Sequence, residues 1–72
     1  MPLVTVQMLE GRSSDTKRTL IRRIGEALTA TLNVPEEAIR ITLLEVAPEN
    51  WGVGCHTMAE LRSGQRSDGG AS

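Results

Sequence analysis

The apolar residues of this chain change their period twice, and that double change limits the fold more than any other feature. Residues 2–9 alternate at period two, with Val4, Val6 and Met8 on one face and Leu3, Thr5, Gln7 and Leu9 on the other. From about Asp15 to Leu32 the step lengthens. Leu20, Ile21, Ile24, Ala27, Leu28 and Leu32 recur at three- and four-residue intervals, while Lys17, Arg18, Arg22, Arg23 and Glu26 lie mostly off the stripe. From Ile39 to Val46 the period returns to two: Ile39, Ile41 and Leu43 point one way, Arg40, Thr42, Leu44 and Val46 the other. Strand, long helix, strand is a β-α-β unit, with parallel strands and a right-handed crossover.

The punctuation agrees with this reading. Ser13, Ser14 and Asp15 are all good helix N-caps. Asn33-Val34-Pro35 ends the helix, because a residue before proline avoids the helical region, and Pro35-Glu36-Glu37 suits a short acidic helical turn. Gly25, inside the helix, lowers its stability by about 1 kcal/mol relative to alanine and leaves room for another backbone. Gly52-Val53-Gly54 indicates a turn or short ribbon, and Thr57 to Arg62 a brief helical or extended piece. The fold class expected is α+β, with one domain over residues 1–62 and a mobile polar tail over 63–72.

Both faces of each strand carry apolar side chains, yet one helix covers only one face of a two-stranded sheet. A chain of 72 residues buries only about 60% of its unfolded surface, and folds of this size usually need a staple. A single cysteine, Cys55, excludes an intrachain disulfide, and Cys55 with His56 is too small a set for structural zinc. Oligomerisation is the staple that remains. Eight basic residues against nine acidic ones leave a net charge of −1, so no nucleic-acid partner is indicated. The apolar runs are too short to span a bilayer and no signal peptide is evident, which points to a cytoplasmic protein without membrane association.

Four residues could carry chemistry. Removal of Met1 would leave Pro2 with a free secondary amine, a base whose pKa falls toward the working pH when it is buried among apolar groups. Otherwise Pro2 stiffens a strand start. Arg12 follows Gly11 in a loop that can aim it. Arg40 sits inside a strand, on a half-covered face where a guanidinium needs an anion to offset desolvation. That anion is either a substrate carboxylate or Glu45 or Glu10 of another chain. Trp51, the only aromatic residue, is a subunit anchor or a pocket wall. Cys55-His56 is a poor nucleophile–base pair, because neighbours on an extended segment point to opposite faces.

Together, Met1-Pro2 opening a strand, Leu9-Glu10-Gly11-Arg12-Ser13, the helix with Lys17 and Leu20-Ile21-Arg22, Ile39-Arg40-Ile41, Glu45 and Trp51-Gly52-Val53-Gly54 resemble the 4-oxalocrotonate tautomerase family. The resemblance covers residues 2 to 62. It implies a β-α-β subunit with a C-terminal ribbon, assembled as a hexamer from three dimers. It implies an isomerase of 2-hydroxymuconate-like dienol acids, as in aromatic catabolism, that needs no cofactor or metal. Pro2 would be general base and acid; Arg12 and Arg40, from neighbouring subunits, would bind and polarise the substrate; Trp51 stands at the pocket phenylalanine. The partners implied are a small carboxylic acid substrate and other subunits, in a homohexamer or a mixed hexamer. The alternative is a non-catalytic or small-acid-binding subunit of a mixed oligomer.

Overall fold

The computed structural model describes residues 1–64. The order is β1 (Leu3–Leu9), α1 (Ser14–Leu32), a 3-10 turn (Glu36–Ala38), β2 (Arg40–Val46), a second 3-10 turn (Pro48–Asn50), β3 (Gly52–Val53), β4 (His56–Thr57) and α2 (Met58–Gly64). Backbone contacts group these into two compact units: Met1–Gln7 with Gly11–Leu44, and Met8–Glu10 with the chain from Glu45 onward. No helix among the described residues is long and apolar enough to cross a membrane.

In the first unit the Arg40 N–H donates to the Pro2 carbonyl at 3.1 Å; in the second, the Glu10 N–H donates to the Val46 carbonyl at 3.0 Å. β1 and β2 are sheet neighbours, and these two bonds advance in the same direction along both, so the pair is parallel. Of the three N-cap candidates, Ser13 takes the role: its Oγ accepts the Thr16 N–H at 3.1 Å and donates to Thr16 Oγ1 at 2.9 Å. Arg18 pairs with Asp15 at 2.9 Å in the first turn. Asn33 closes the helix in the left-handed region, at φ 58° and ψ 48°, with its N–H on the Thr29 carbonyl.

The strand alternation is visible as burial. Val4, Val6, Ile41 and Leu43 are half-buried, while Leu3, Thr5, Gln7, Arg40, Thr42 and Leu44 are exposed. A methyl placed on Gly25 would meet Ile41 Cδ1 at 3.8 Å, which puts α1 over the Ile41 face. The close neighbour of Gly25 is therefore a side chain, and the backbone approach expected there is not formed. The other face is open, as expected of one helix on two strands: Leu3 is 70% exposed and Leu44 46%. No side chain among the described residues is fully buried. One helix cannot wrap two strands, and the described residues alone complete no core.

In the second unit β3 and β4 form an antiparallel ribbon with Gly52 opposite Thr57 and Val53 opposite His56. Gly54 has φ 63° and Cys55 does not have positive φ, the type II′ arrangement that matches strand twist in a two-residue hairpin. The Met58 N–H donates to the Trp51 carbonyl at 2.7 Å. Thr57 and Glu60 then start α2 with a reciprocal capping box: Thr57 Oγ1 accepts the Glu60 N–H at 3.0 Å, and Glu60 Oε1 accepts the Thr57 N–H at 2.7 Å. The helix runs to Gly64, so Ser63 and Gly64 are helical where the tail was expected to begin. The rest of that tail lies outside the described residues.

Candidate active site

Pro2 lies just before β1 and is half-buried. Its carbonyl is the acceptor for the Arg40 N–H at 3.1 Å, so Pro2 and Arg40, far apart in sequence, are adjacent in the ladder. Parallel pairing is the cause: the two strand starts must lie side by side.

Arg40 itself differs from the sequence expectation. It is the first residue of β2 and is exposed, so no desolvation demands an anion within the chain. Its guanidinium Nη1 donates to the carbonyls of Glu37, at 2.7 Å, and Ile39, at 3.0 Å.

Arg12 occupies the loop at the far end of β1. It is exposed, beside a Gly11 with φ 126°. β1 has seven residues, so at about 3.3 Å per residue it holds Arg12 roughly 23 Å beyond Pro2. No side chain closes that gap, and the structure does not bring Arg12 to Pro2 and Arg40 of the same chain. Trp51 belongs to the second unit; it is half-buried and caps the Pro48–Asn50 turn, with its N–H on the Pro48 carbonyl at 3.3 Å. Cys55 is an exposed free thiol. Its neighbour His56 faces Glu60, with Nδ1 3.9 Å from the carboxylate. The backbone bond from Thr57 holds the Glu60 carboxyl below its ordinary value of 4.5, with smaller help from the Thr57 hydroxyl and His56.

A groove of about 400 Å³ runs beside α1, with Ile21, Gly25, Thr29, Ile39 and Ile41 on its walls. Ile39 and Ile41 alternate with Arg40, so it opens on the opposite sheet face and contains none of the candidate residues. The residue that sequence reasoning missed is Glu37, whose carbonyl holds Arg40. A backbone acceptor leaves no mark in a sequence.

Residues 2–60 match the profile of the family described as "Tautomerase enzyme". The chain belongs to the tautomerase family. Within it, the 4-oxalocrotonate tautomerase branch is supported by sequence and by fold. A 2-hydroxymuconate tautomerase of Pseudomonas putida is 36% identical over 62 residues, covering 86% of this chain and 98% of that protein. TomN, a 4-oxalocrotonate tautomerase homologue in the tomaymycin biosynthetic pathway, superposes with a TM-score of 0.83 at 40% identity, covering 86% of this chain and 95% of the other. A heterohexamer 4-oxalocrotonate tautomerase from Chloroflexus aurantiacus J-10-fl is 44% identical with a TM-score of 0.79, covering 86% of this chain and all of that one. The two solved relatives share this fold, and the last is named for its assembly from more than one chain type.

Proposed function

We propose that this tautomerase-family chain catalyses enol–keto isomerisation of 2-hydroxymuconate-like dienol acids, with the amine of Pro2 as general base and acid after Met1 is removed. The observation that carries this reading is the match of residues 2–60 to the tautomerase family, which begins at Pro2; in the fold the Arg40 N–H bonds the Pro2 carbonyl at 3.1 Å. Moving a proton from an enol oxygen to a distant carbon needs one group that accepts the proton and returns it. An amine of depressed pKa does both. The dienolate formed between those transfers carries negative charge, which guanidinium groups stabilise more than they stabilise the substrate.

Arg40, supplied like Arg12 from a neighbouring copy, would bind one end of the acid. Arg12, at the far end of β1, would serve the site of a neighbouring copy, and the open sheet face gives a physical reason for such copies to associate. Trp51 would form a wall of the pocket. The test combines intact mass with stopped-flow turnover of 2-hydroxymuconate. The expected result is a mature mass lacking methionine and a Pro2→Ala variant that loses at least about a hundredfold in turnover, the scale of a general acid–base group. A fully active Pro2→Ala would end the proposal.

A second reading, a non-catalytic or small-acid-binding subunit of a mixed oligomer, is favoured by the 44% identity to a heterohexamer chain. Met1 retained on purified protein would select it, because an acylated Pro2 nitrogen has no basicity.

A further inference from the structure

The backbone around Arg40 has an unusual division of hydrogen bonds. In the first 3-10 turn the Pro35 carbonyl accepts the Ala38 N–H at 3.1 Å and the Glu36 carbonyl accepts the Ile39 N–H at 3.0 Å. The next bond in that series would run from the Arg40 N–H to the Glu37 carbonyl. β2 diverts that N–H to Pro2 instead, which would orphan the Glu37 carbonyl at the end of the turn. The Arg40 guanidinium takes its place, with Nη1 on Glu37 at 2.7 Å and on Ile39 at 3.0 Å. One residue is thus held twice, by its backbone to Pro2 and by its side chain to the turn.

This arrangement leaves a definite edge of the guanidinium free. Arginine has five N–H donors, and the two on Nη1 are occupied by carbonyls. The N–H of Nε and those of Nη2 remain, and the Nε–Nη2 side is a planar fork that fits a carboxylate bidentately. Neither is engaged by another group among the described residues.

We infer that the Glu36–Ala38 turn is the positioning device of the site: its Glu37 carbonyl locks Arg40 so that the Nε–Nη2 edge presents a fork for a substrate carboxylate. This deepens the proposed function and rests on it for the identity of the substrate. Arg40 is the binding group; the turn acts through it. A lysine at position 40 would not replace it, since one ammonium cannot cap the turn and offer a planar fork together.

The test is calorimetric titration of the assembled protein with cis,cis-muconate, a dicarboxylate that lacks the enol. Arg40→Ala should weaken Kd by about tenfold or more, the loss of a charge-assisted bidentate contact. Ala38→Pro removes the first bond of the turn and drives Glu37 out of the helical region, so it should weaken Kd by a similar factor. The double variant should bind no worse than Arg40→Ala alone, because the turn has no other route to the ligand. A merely structural turn would give additive losses instead. If Ala38→Pro fails to fold, Pro35→Gly loosens the same turn, and its effect should likewise vanish when Arg40 is absent. Unchanged binding in the folded turn variants, additive losses, or no muconate binding by the unmodified chain would overturn the inference. Lack of turnover in the unmodified chain would instead retire the tautomerase reading and leave the titration to judge the turn.

Discussion

Two glycines mark opposite limits of what one side chain can change. Gly11 has φ 126°, with nothing within 4 Å of the place a Cβ would occupy, so the constraint there is conformational and not steric. Only glycine adopts that region without strain. Gly11→Ala should therefore cost about 1–3 kcal/mol in thermal denaturation and re-aim Arg12, lowering diacid turnover along with stability. Gly25 is helical, and a methyl there would sit at ordinary contact distance, 3.8 Å, from Ile41 Cδ1. Gly25→Ala should raise stability by about 0.4–1 kcal/mol, because it restricts the unfolded chain and fills open space. Both glycines are visible in the sequence, but only the backbone angle separates the one that is required from the one that is tolerated. The same holds for Arg40: the residue is legible as a candidate, whereas its carbonyl partners arise from where the chain runs.

At the element scale the helices are defined by their caps. Ser13 satisfies the first donors of α1, and Ser13→Ala should cost about 1 kcal/mol, measurable as a shift in the urea midpoint. α2 is shorter and depends on the Thr57–Glu60 box. The Glu60 carboxyl is held below 4.5, chiefly by the bond from the Thr57 N–H. A depressed native pKa means that the unfolded segment binds the proton more readily. The contribution of Glu60 is therefore full above about pH 4.5 and is lost as pH falls through its lower native value. Protection of the Thr57 amide, taken relative to its intrinsic exchange rate at each pH, should fall across that acidic window. Glu60→Gln keeps an acceptor and should abolish the pH dependence, whereas Glu60→Ala should fray α2 at every pH. Thr57-Met58-Ala59-Glu60 is a capping-box signature that distinguishes helix from extended chain at this point; weighing the segment by composition alone leaves the two equal.

For the whole molecule, the decisive observation is the absence of any fully buried side chain among the described residues, with Met1, Leu3, Leu32 and Leu44 all more than 45% exposed. A stable native state is then expected to draw on apolar surface from other chains. Unfolding should be coupled to dissociation, so the thermal midpoint should rise with protein concentration. Leu3→Glu and Leu44→Glu place charge on the open sheet face and should shift the protein to smaller species in analytical ultracentrifugation. A midpoint independent of concentration would exclude the coupling.

The sequence by itself determined the β-α-β order, the parallel strands and the open second face, because period and punctuation are local properties that survive without neighbours; the family was legible only as a resemblance carried by particular motifs. Pro2 and Arg40 as candidates belong to the same class, since residue type and strand position name them. Tertiary structure alone decided that these two lie side by side while Arg12 lies a strand length away. It also decided that the Arg40 side chain is held by the Glu37 and Ile39 carbonyls and exposed, not paired with a buried anion. Those facts depend on which backbone groups the ladder consumes and which it leaves over. That account closes only when the strands are paired.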